Sequence, residues 1–395
     1  MNDLIIIGAG PAGNIVAEQT AAAGLDVIVL DWRKNIGDKL CTGIIGKECL
    51  DKFPPRKEDI YHEVKSASLI SPSGKTHRIV RDNTQAAILN RVSYIQSIAN
   101  KAKIKGAKYH LEHRVTKINK NPDYISIVVK HNENIKTYKC KLLIIASGFN
   151  TPLLKMLDID TSNNKSLLGS QIEVNVNALK ETQVYFGKDI SPGSFGWLVP
   201  LTSSSALLGV ISKEKTQENI KYFLNKLINE GKILKNDYDI KSWGIPISPL
   251  NKTYQNRILI TGDAAGLTKP TTGGGIYYSL LSGQIAAKTS IDAIKNNNLS
   301  ENKLKEYQTE WKRIFGKEIR ISYYSRLFFE TLNDNQIEKL IGLGFELQNE
   351  LINESDFSFD WHSKVILKAF KNKKMRELLI KFAPIIPSIL SKKVI

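Results

Sequence analysis

The feature that most limits what this chain can become is the run Gly8-Ala9-Gly10-Pro11-Ala12-Gly13, set between an apolar stretch, Leu4 to Ile7, and an alanine-rich one, Ile15 to Ala23. Four apolar residues closed by a glycine read as a strand buried on both faces. The alanine-rich stretch reads as a helix with Gly24 as its stop. A second short strand, Val27 to Leu30, ends at Asp31. Together they predict a βαβ unit in which the glycines have separate tasks. Gly8 permits the tight turn, Gly10 lets backbone approach a pyrophosphate, and Gly13 lets the helix pack on the sheet. Ala12 falls at the helix N-terminus, whose free N–H groups and partial positive charge favour an anion. Asp31 is placed to accept hydrogen bonds from an adenosine ribose. This unit alone does not separate FAD from NAD.

The same logic recurs late in the chain. Ile258 to Thr261 leads into Gly262-Asp263-Ala264-Ala265-Gly266 and then Pro270-Thr271-Thr272-Gly273-Gly274-Gly275-Ile276. A strand ends at an aspartate suited to sugar-like hydroxyls, a glycine loop follows, and a helix starts near Gly275. In a flavin enzyme the anion facing such a helix start is the N1–C2=O edge of the reduced ring. Glycine suits a loop on which a flat ring lies. Two such motifs predict an extended dinucleotide, its ADP end on the first and its ring end on the second, and that geometry points to FAD.

At 395 residues the chain is long enough for two or three domains and for a core that encloses a large cofactor. Lys141 to Ala146 and Arg257 to Thr261 read as further interior strands of the first sheet. Ser66 to Val80 and Ser170 to Val210 are strand-like segments broken by Gly, Pro and Ser, the pattern of an inserted antiparallel sheet. Ser93 to Gly106 reads as a helix, and the chain after Gly274 as helical, with charged linkers such as Lys295 to Lys305. The expected fold class is therefore α/β: a Rossmann-like FAD-binding domain with a doubly wound parallel sheet, interleaved with an antiparallel β-sheet substrate domain and a helical C-terminal region. The boundaries are 1–65, 91–165 and 251–295 for the first, 66–90 and 166–250 for the second, and 296–395 for the third.

Composition narrows the setting. Three cysteines (Cys41, Cys49, Cys140) at unrelated spacings argue against a disulfide framework, and with no export signal after Met1 they point to a reducing cytoplasm. No Cys/His spacing suggests a metal, and no apolar run nears the roughly 18 residues of a membrane span. Lys and Arg number 56 against 39 Asp and Glu, a net charge of +17. Such a charge suits nucleic acid, an anionic membrane or an acidic substrate, but no nucleic-acid-binding motif accompanies it. From Lys364 to Ile395 nine Lys/Arg face one acid, Glu377, and alternate with Leu378, Leu379, Ile380, Phe382, Ile385, Ile386, Ile389 and Leu390. That pattern predicts either a peripheral contact with an anionic bilayer at the inner face of the membrane or a solvated surface helix.

Four stretches together carry a resemblance. They are Gly8 to Gly13 with Asp31, Lys39-Leu40-Cys41-Thr42-Gly43, Pro192 to Pro200 (Pro-Gly-Ser-Phe-Gly-Trp-Leu-Val-Pro), and Gly262 to Tyr278. They resemble the geranylgeranyl reductase family of FAD-dependent enzymes, through most of residues 1–290 and weakly or not at all after about 300. The resemblance implies a hydroxylase-like two-domain fold and saturation of isolated C=C bonds in isoprenoid chains: prenyl diphosphates, pigments and quinones, or archaeal ether lipids. It puts Ala12, Asp31, Cys41, Thr42, Arg91, Val115, Asp263, Gly275 and Ile276 against FAD, with Ile44 beside them and Gly262 and Gly274 in the binding loop. It departs from the family at Cys41-Thr42-Gly43-Ile44, where Cys-x-Gly-Gly is usual, and at Ser147-Gly148, where Asp-Gly is usual.

Arg91 opens a helix and either reaches the FAD phosphates or sits solvated there. Trp197 and Pro200 are candidates for the wall of a substrate channel. No motif announces a catalytic acid. The electron donor stays open between ferredoxin, NAD(P)H and a deazaflavin, although no second GxGxxG signals a nicotinamide domain. The alternatives are an FAD-dependent monooxygenase and an electron-transfer flavoprotein that reduces a membrane quinone.

Overall fold

The computed structural model describes residues 1–235, 237–351 and 358–382. Asn2–Ile7 forms the centre of an eight-stranded sheet, paired in parallel with Val27–Leu30 on one side and Asn134–Ile145 on the other. Lys108–His110 extends the first side and Ile258–Ile260 the second, both parallel, and Tyr254–Gln255 closes that edge antiparallel. Leu4, Ile5, Ile6 and Leu142 to Ile145 are wholly inaccessible, as strands covered on both faces require. Strand order reverses between Asn2–Ile7 and Asn134–Ile145. A doubly wound sheet opens its ligand crevice at such a switch point, beyond the carboxyl ends.

Three helices pack closely over this sheet. Gly10 caps Pro11–Ala22, Asn90 accepts from the Ser93 amide to cap Arg91–Ile104, and Gly275 caps Ile276–Lys295. A methyl on Gly13 would stand 1.9 Å from the Gly8 carbonyl, and one on Gly283 would stand 2.3 Å from the Ile15 side chain. Both positions therefore need glycine for packing, whatever binds nearby. Asn134–Ile145 runs on past the sheet, where Ile125–His131 and Arg114–Lys120 add to it antiparallel. These outer strands carry many Lys and Asn residues and no continuous apolar run to announce them.

The second sheet has seven strands, in the order Lys241–Pro246, Ser166–Asn175, Ser205–Ser212, Phe195–Pro200, Thr182–Tyr185, Ser66–Ile70 and Thr76–Val80. All neighbours are antiparallel except Thr182–Tyr185 with Ser66–Ile70. Its two faces follow the period of two. Leu198, Leu208 and Val210 pack on Ile220, Phe223 and Leu227 of the helix Thr216–Asn229. Trp197, Val199 and Ile211 point the other way, in one cluster with Tyr323 and Leu327 of the helix Lys317–Phe329.

A third sheet joins Ile44–Gly46, Ala86–Leu89 and Ile60–Val64. Ala86–Leu89 sits here and not beside Ser66 to Val80, because an all-buried strand of four residues has no alternation to say which sheet it joins. The charged stretch Lys295 to Lys305 is not all linker: Ser300 accepts from the Lys303 amide and starts the helix Glu301–Trp311, a cap that outweighs the polar composition. Further on, Ser363–Lys371 and Lys373–Lys381 are short helices with exposed Leu367, Phe370 and Ile380. Among the described residues no helix is long and apolar enough to cross a membrane. Ile385, Ile386, Ile389 and Leu390 of the basic tail lie outside the described residues.

Candidate functional site

The crevice begins where strand ends crowd together. Gly8 has φ +112°, and a methyl there would lie 2.3 Å from the Ala146 carbonyl at the end of the neighbouring strand. The Ala9 amide donates to Asp31 Oδ2 at 2.8 Å and the Arg33 amide to Oδ1 at 2.8 Å, so the buried carboxylate ties the glycine turn to the second strand. Gly10 stands apart: a methyl on it would meet nothing within 4 Å, because the turn faces open space.

At the other end, Asp263 Oδ2 bonds Lys39 Nζ at 2.5 Å, and its Oδ1 accepts from Ser279 Oγ at 3.4 Å. A methyl on Gly275 would fall 2.7 Å from that Oδ1, which explains the glycine at the helix start. Lys39 belongs to the segment 37–43, which Arg91 holds in place. Arg91 Nη1 donates to the carbonyls of Gly37 at 2.6 Å and Lys39 at 2.5 Å. Arg91 is therefore buried and engaged with backbone, unlike a solvated helix-start arginine. In the same segment Thr42 Oγ1 donates to Gln171 Oε1 at 3.0 Å, linking it to the second sheet, and Cys41 is a free, half-buried thiol.

One cavity of about 760 Å³ connects both ends, within the range of roughly 300–1,000 Å³ usual for ligand sites. Gly8, Gly10, Ala12, Asp31, Cys41, Thr42, Ile44, Arg91, Val115, Gly262, Asp263, Gly274, Gly275 and Ile276 all border it. Gly13 does not, since its position serves packing. Trp197 borders it and Pro200 does not. Along that strand Phe195, Trp197 and Val199 face the cavity, and alternation turns Pro200 to the opposite face. Trp197 can lie flat there because the facing residue is Gly209, where a methyl would overlap the indole at 2.2 Å.

Sequence reasoning missed much of the roof and the far wall. Phe149 rests on Gly244 and Trp243 on Gly169, the same pairing of a ring with a strand glycine. Lys269 and Phe359 border the cavity from opposite ends of the C-terminal half. Residues 358–363 form a strap behind the glycine loop. Lys269 Nζ donates to the Phe359 carbonyl at 2.8 Å, Tyr278 donates to the Asp360 carbonyl at 3.1 Å, and Thr271 Oγ1 meets His362 Nδ1 at 2.6 Å. Arg326, 5% exposed, adds a second brace from Glu330 to Ser194 and the carbonyl of Thr271. Burial and the nearby Lys269 push the His362 pKa down to about 4. No local pattern marks this wall, since Lys269 and Phe359 lie 90 positions apart in the chain.

A family model described as lycopene cyclase protein matches residues 3–355. The digeranylgeranylglycerophospholipid reductase of Methanocaldococcus jannaschii is 28% identical over 354 residues, covering 86% of this chain and 89% of that protein. The enzyme of the same name from Methanococcus aeolicus is 30% identical over 327 residues, covering 80% and 83%. A crystal structure of a geranylgeranyl bacteriochlorophyll reductase-like protein from Thermoplasma acidophilum covers 96% of this chain and 99% of its own, with a TM-score of 0.85 at 21% identity. The likeness thus does not fade at residue 300: the family-model match runs to residue 355, and the structural likeness covers nearly the whole chain. By the match over residues 3–355 the chain belongs to the lycopene cyclase protein family, and by its identity to the M. aeolicus enzyme it belongs with the geranylgeranyl reductases that its motifs resemble.

Proposed function

We propose that this chain is an FAD-dependent reductase that saturates C=C bonds of geranylgeranyl chains, in isoprenoid ether lipids of the digeranylgeranylglycerophospholipid type or in prenyl diphosphates. The observation that carries the reading is the single cavity running from the first glycine turn to the second and on beneath an aromatic and aliphatic roof. The residues along it fit FAD. The space beside Gly10 leaves room for a pyrophosphate at the helix start. Asp31 keeps lone pairs for ribose hydroxyls. His113 Nε2 and Ser147 Oγ, both on residues of the cavity wall, are buried with no partner among the described residues, which a polar ligand there would remedy.

Bound FAD supplies a hydride from its ring. The chain's own residues bind, orient and exclude water. Asp263 and Lys39, an ion pair on the cavity wall, would hold the cofactor's hydroxyls and phosphates, the carboxylate accepting from the first and the ammonium pairing with the second. Phe195, Trp197, Val199, Ile211 and Trp243 line the cavity with apolar surface that would hold a prenyl chain. An isolated alkene has no carbonyl to polarise, so its alignment is the main contribution left to the protein, and a dry chamber protects the reduced ring from solvent. Exposed Leu367, Phe370 and Ile380 among lysines support a peripheral contact with the anionic bilayer that holds a lipid substrate.

The test is to incubate the purified protein with dithionite and digeranylgeranylglycerophospholipid and follow the lipid by mass spectrometry. Gains in steps of two hydrogens support the reading; a chain that takes up no FAD, or never adds hydrogen to any prenyl substrate, overturns it. The lycopene cyclase family model favours a second reading, ring closure of a linear polyisoprenoid. Its product would be an isomer of unchanged mass.

A further inference from the structure

Lys269 opens the glycine loop and ends in the seam between that loop and the strap. It is 5% exposed. Its ammonium donates to the Phe359 carbonyl at 2.8 Å, lies 4.3 Å over the Phe359 ring and stands 3.8 Å from the Asp360 carboxylate. Its Cε runs so close under Gly274 that a methyl there would meet it at 2.8 Å. Lys269 is thus one of the residues lining the cavity, and its side chain runs beside Gly274, next to the N-terminus of Ile276–Lys295.

Four other Lys and Arg residues line the cavity, and three of them are engaged: Lys39 with Asp263, Arg91 with two carbonyls, Arg33 with Asp31; the fourth is Arg114. The acids around Lys269 are engaged too. Asp360 accepts from the Cys49 amide, and Glu318 accepts from Ser322 and from the amides of His362 and Ser363. Among the described residues Lys269 thus holds one good hydrogen bond, and its ion-pair partner Asp360, at 3.8 Å, stands beyond hydrogen-bond reach. Burial lowers its pKa. An ammonium in that state gains from any anion that arrives across the cavity wall.

We propose that Lys269 contacts the cofactor and, with the amides of the helix start, holds the negative charge that reduction places on the N1–C2=O edge of the flavin ring. The proposal rests on the FAD reading above. An external reductant gives the oxidised ring two electrons, solvent gives one proton to N5, and N1 stays unprotonated with the extra charge. Lys269 forms and breaks no covalent bond and gives up no proton. It biases the equilibrium toward the reduced anion through a short, poorly screened interaction.

The experiment is an anaerobic dithionite titration of the FAD-loaded wild type, K269M, K269R and D360N against a reference dye, with reduced spectra recorded from pH 5 to 9. K269M is expected to favour the reduced ring at least tenfold less, a midpoint shift of about −30 mV for a two-electron couple, and to show the neutral reduced spectrum at higher pH than wild type. K269R is expected to restore both values. D360N keeps an acceptor for the Cys49 amide while removing the competing charge, and is expected to shift the midpoint upward. It also keeps the test open if K269M does not fold. A wild type that takes up no FAD refutes the function proposed above. A wild type that binds FAD, with a midpoint indifferent to K269M or to D360N, refutes this inference alone and leaves Lys269 as a counter-ion for Asp360.

Discussion

Replacing Gly10 by alanine would separate a structural glycine from a ligand-binding one. Its backbone, φ −83° and ψ −174°, suits alanine. A Cβ there meets no protein atom within 4 Å. The narrower unfolded ensemble favours alanine by about 0.4–1 kcal/mol. Gly10 is also the helix N-cap, where alanine is worse by about 0.5–1 kcal/mol. The two effects oppose, so stability should move by less than about 1 kcal/mol and the melting temperature of the flavin-free chain by roughly a degree or two. Affinity for FAD should respond differently. The methyl occupies the space a pyrophosphate needs, and loss of one hydrogen bond to a charged acceptor is worth about 1.5–3 kcal/mol, or about 10- to 100-fold in Kd. Flavin fluorescence titration and thermal melts with and without FAD measure both. G13A is the contrast: its methyl, 1.9 Å from the Gly8 carbonyl, should impair folding itself. Unchanged affinity in a normally melting G10A would refute the placement of the pyrophosphate at this turn.

Other substitutions probe other parts of the molecule. W197A removes a buried indole from the chamber roof and should destabilise the chain by about 3 kcal/mol in urea, while reducing the number of double bonds saturated per lipid. R326M leaves Glu330 with Lys213 as its remaining ion-pair partner and should cost about 2–3 kcal/mol in the same assay. His362 is held neutral, with a pKa of about 4 against 6.5 when unfolded. The unfolded chain therefore takes up a proton first, and stability present above pH 6.5 should drain away as pH falls toward 4. Melting curves across that window should be flatter for H362Q. Reversing Lys364 and Lys371 to glutamate should weaken sedimentation with anionic vesicles by roughly tenfold or more, given about 1 kcal/mol for each basic residue near a charged surface.

The parts of the site that are legible in the chain are those where backbone geometry leaves no choice of residue. Gly8 at positive φ, Gly275 against Asp263 and the buried run Leu4 to Ile7 are each forced by local packing, so the order of residues alone displays their spacing. The parts that are not legible depend on long-range partners. Phe359 and Lys269 are ordinary letters until a strap brings them together. Trp243 and Phe149 look like common core aromatics until Gly169 and Gly244 are seen beneath them. Pro200 falls away from the cavity because its motif, read as a block, is a strand that shows only every second residue to that side. The short strand Ala86–Leu89 escapes assignment because four apolar residues fit either sheet equally well.

The strap also sets a timetable. Some 350 positions separate Gly8 from Ser358, so at about 5–20 residues per second a ribosome needs roughly 20–70 s to pass from the first glycine turn to the segment that closes the far wall. Only late in that interval does a nascent chain hold the turn, the roof and the second loop together, and it still lacks the wall behind that loop. Completion of the full cavity is thus a late event in the synthesis of each molecule, because the wall that Lys269 and Tyr278 bond to is made last.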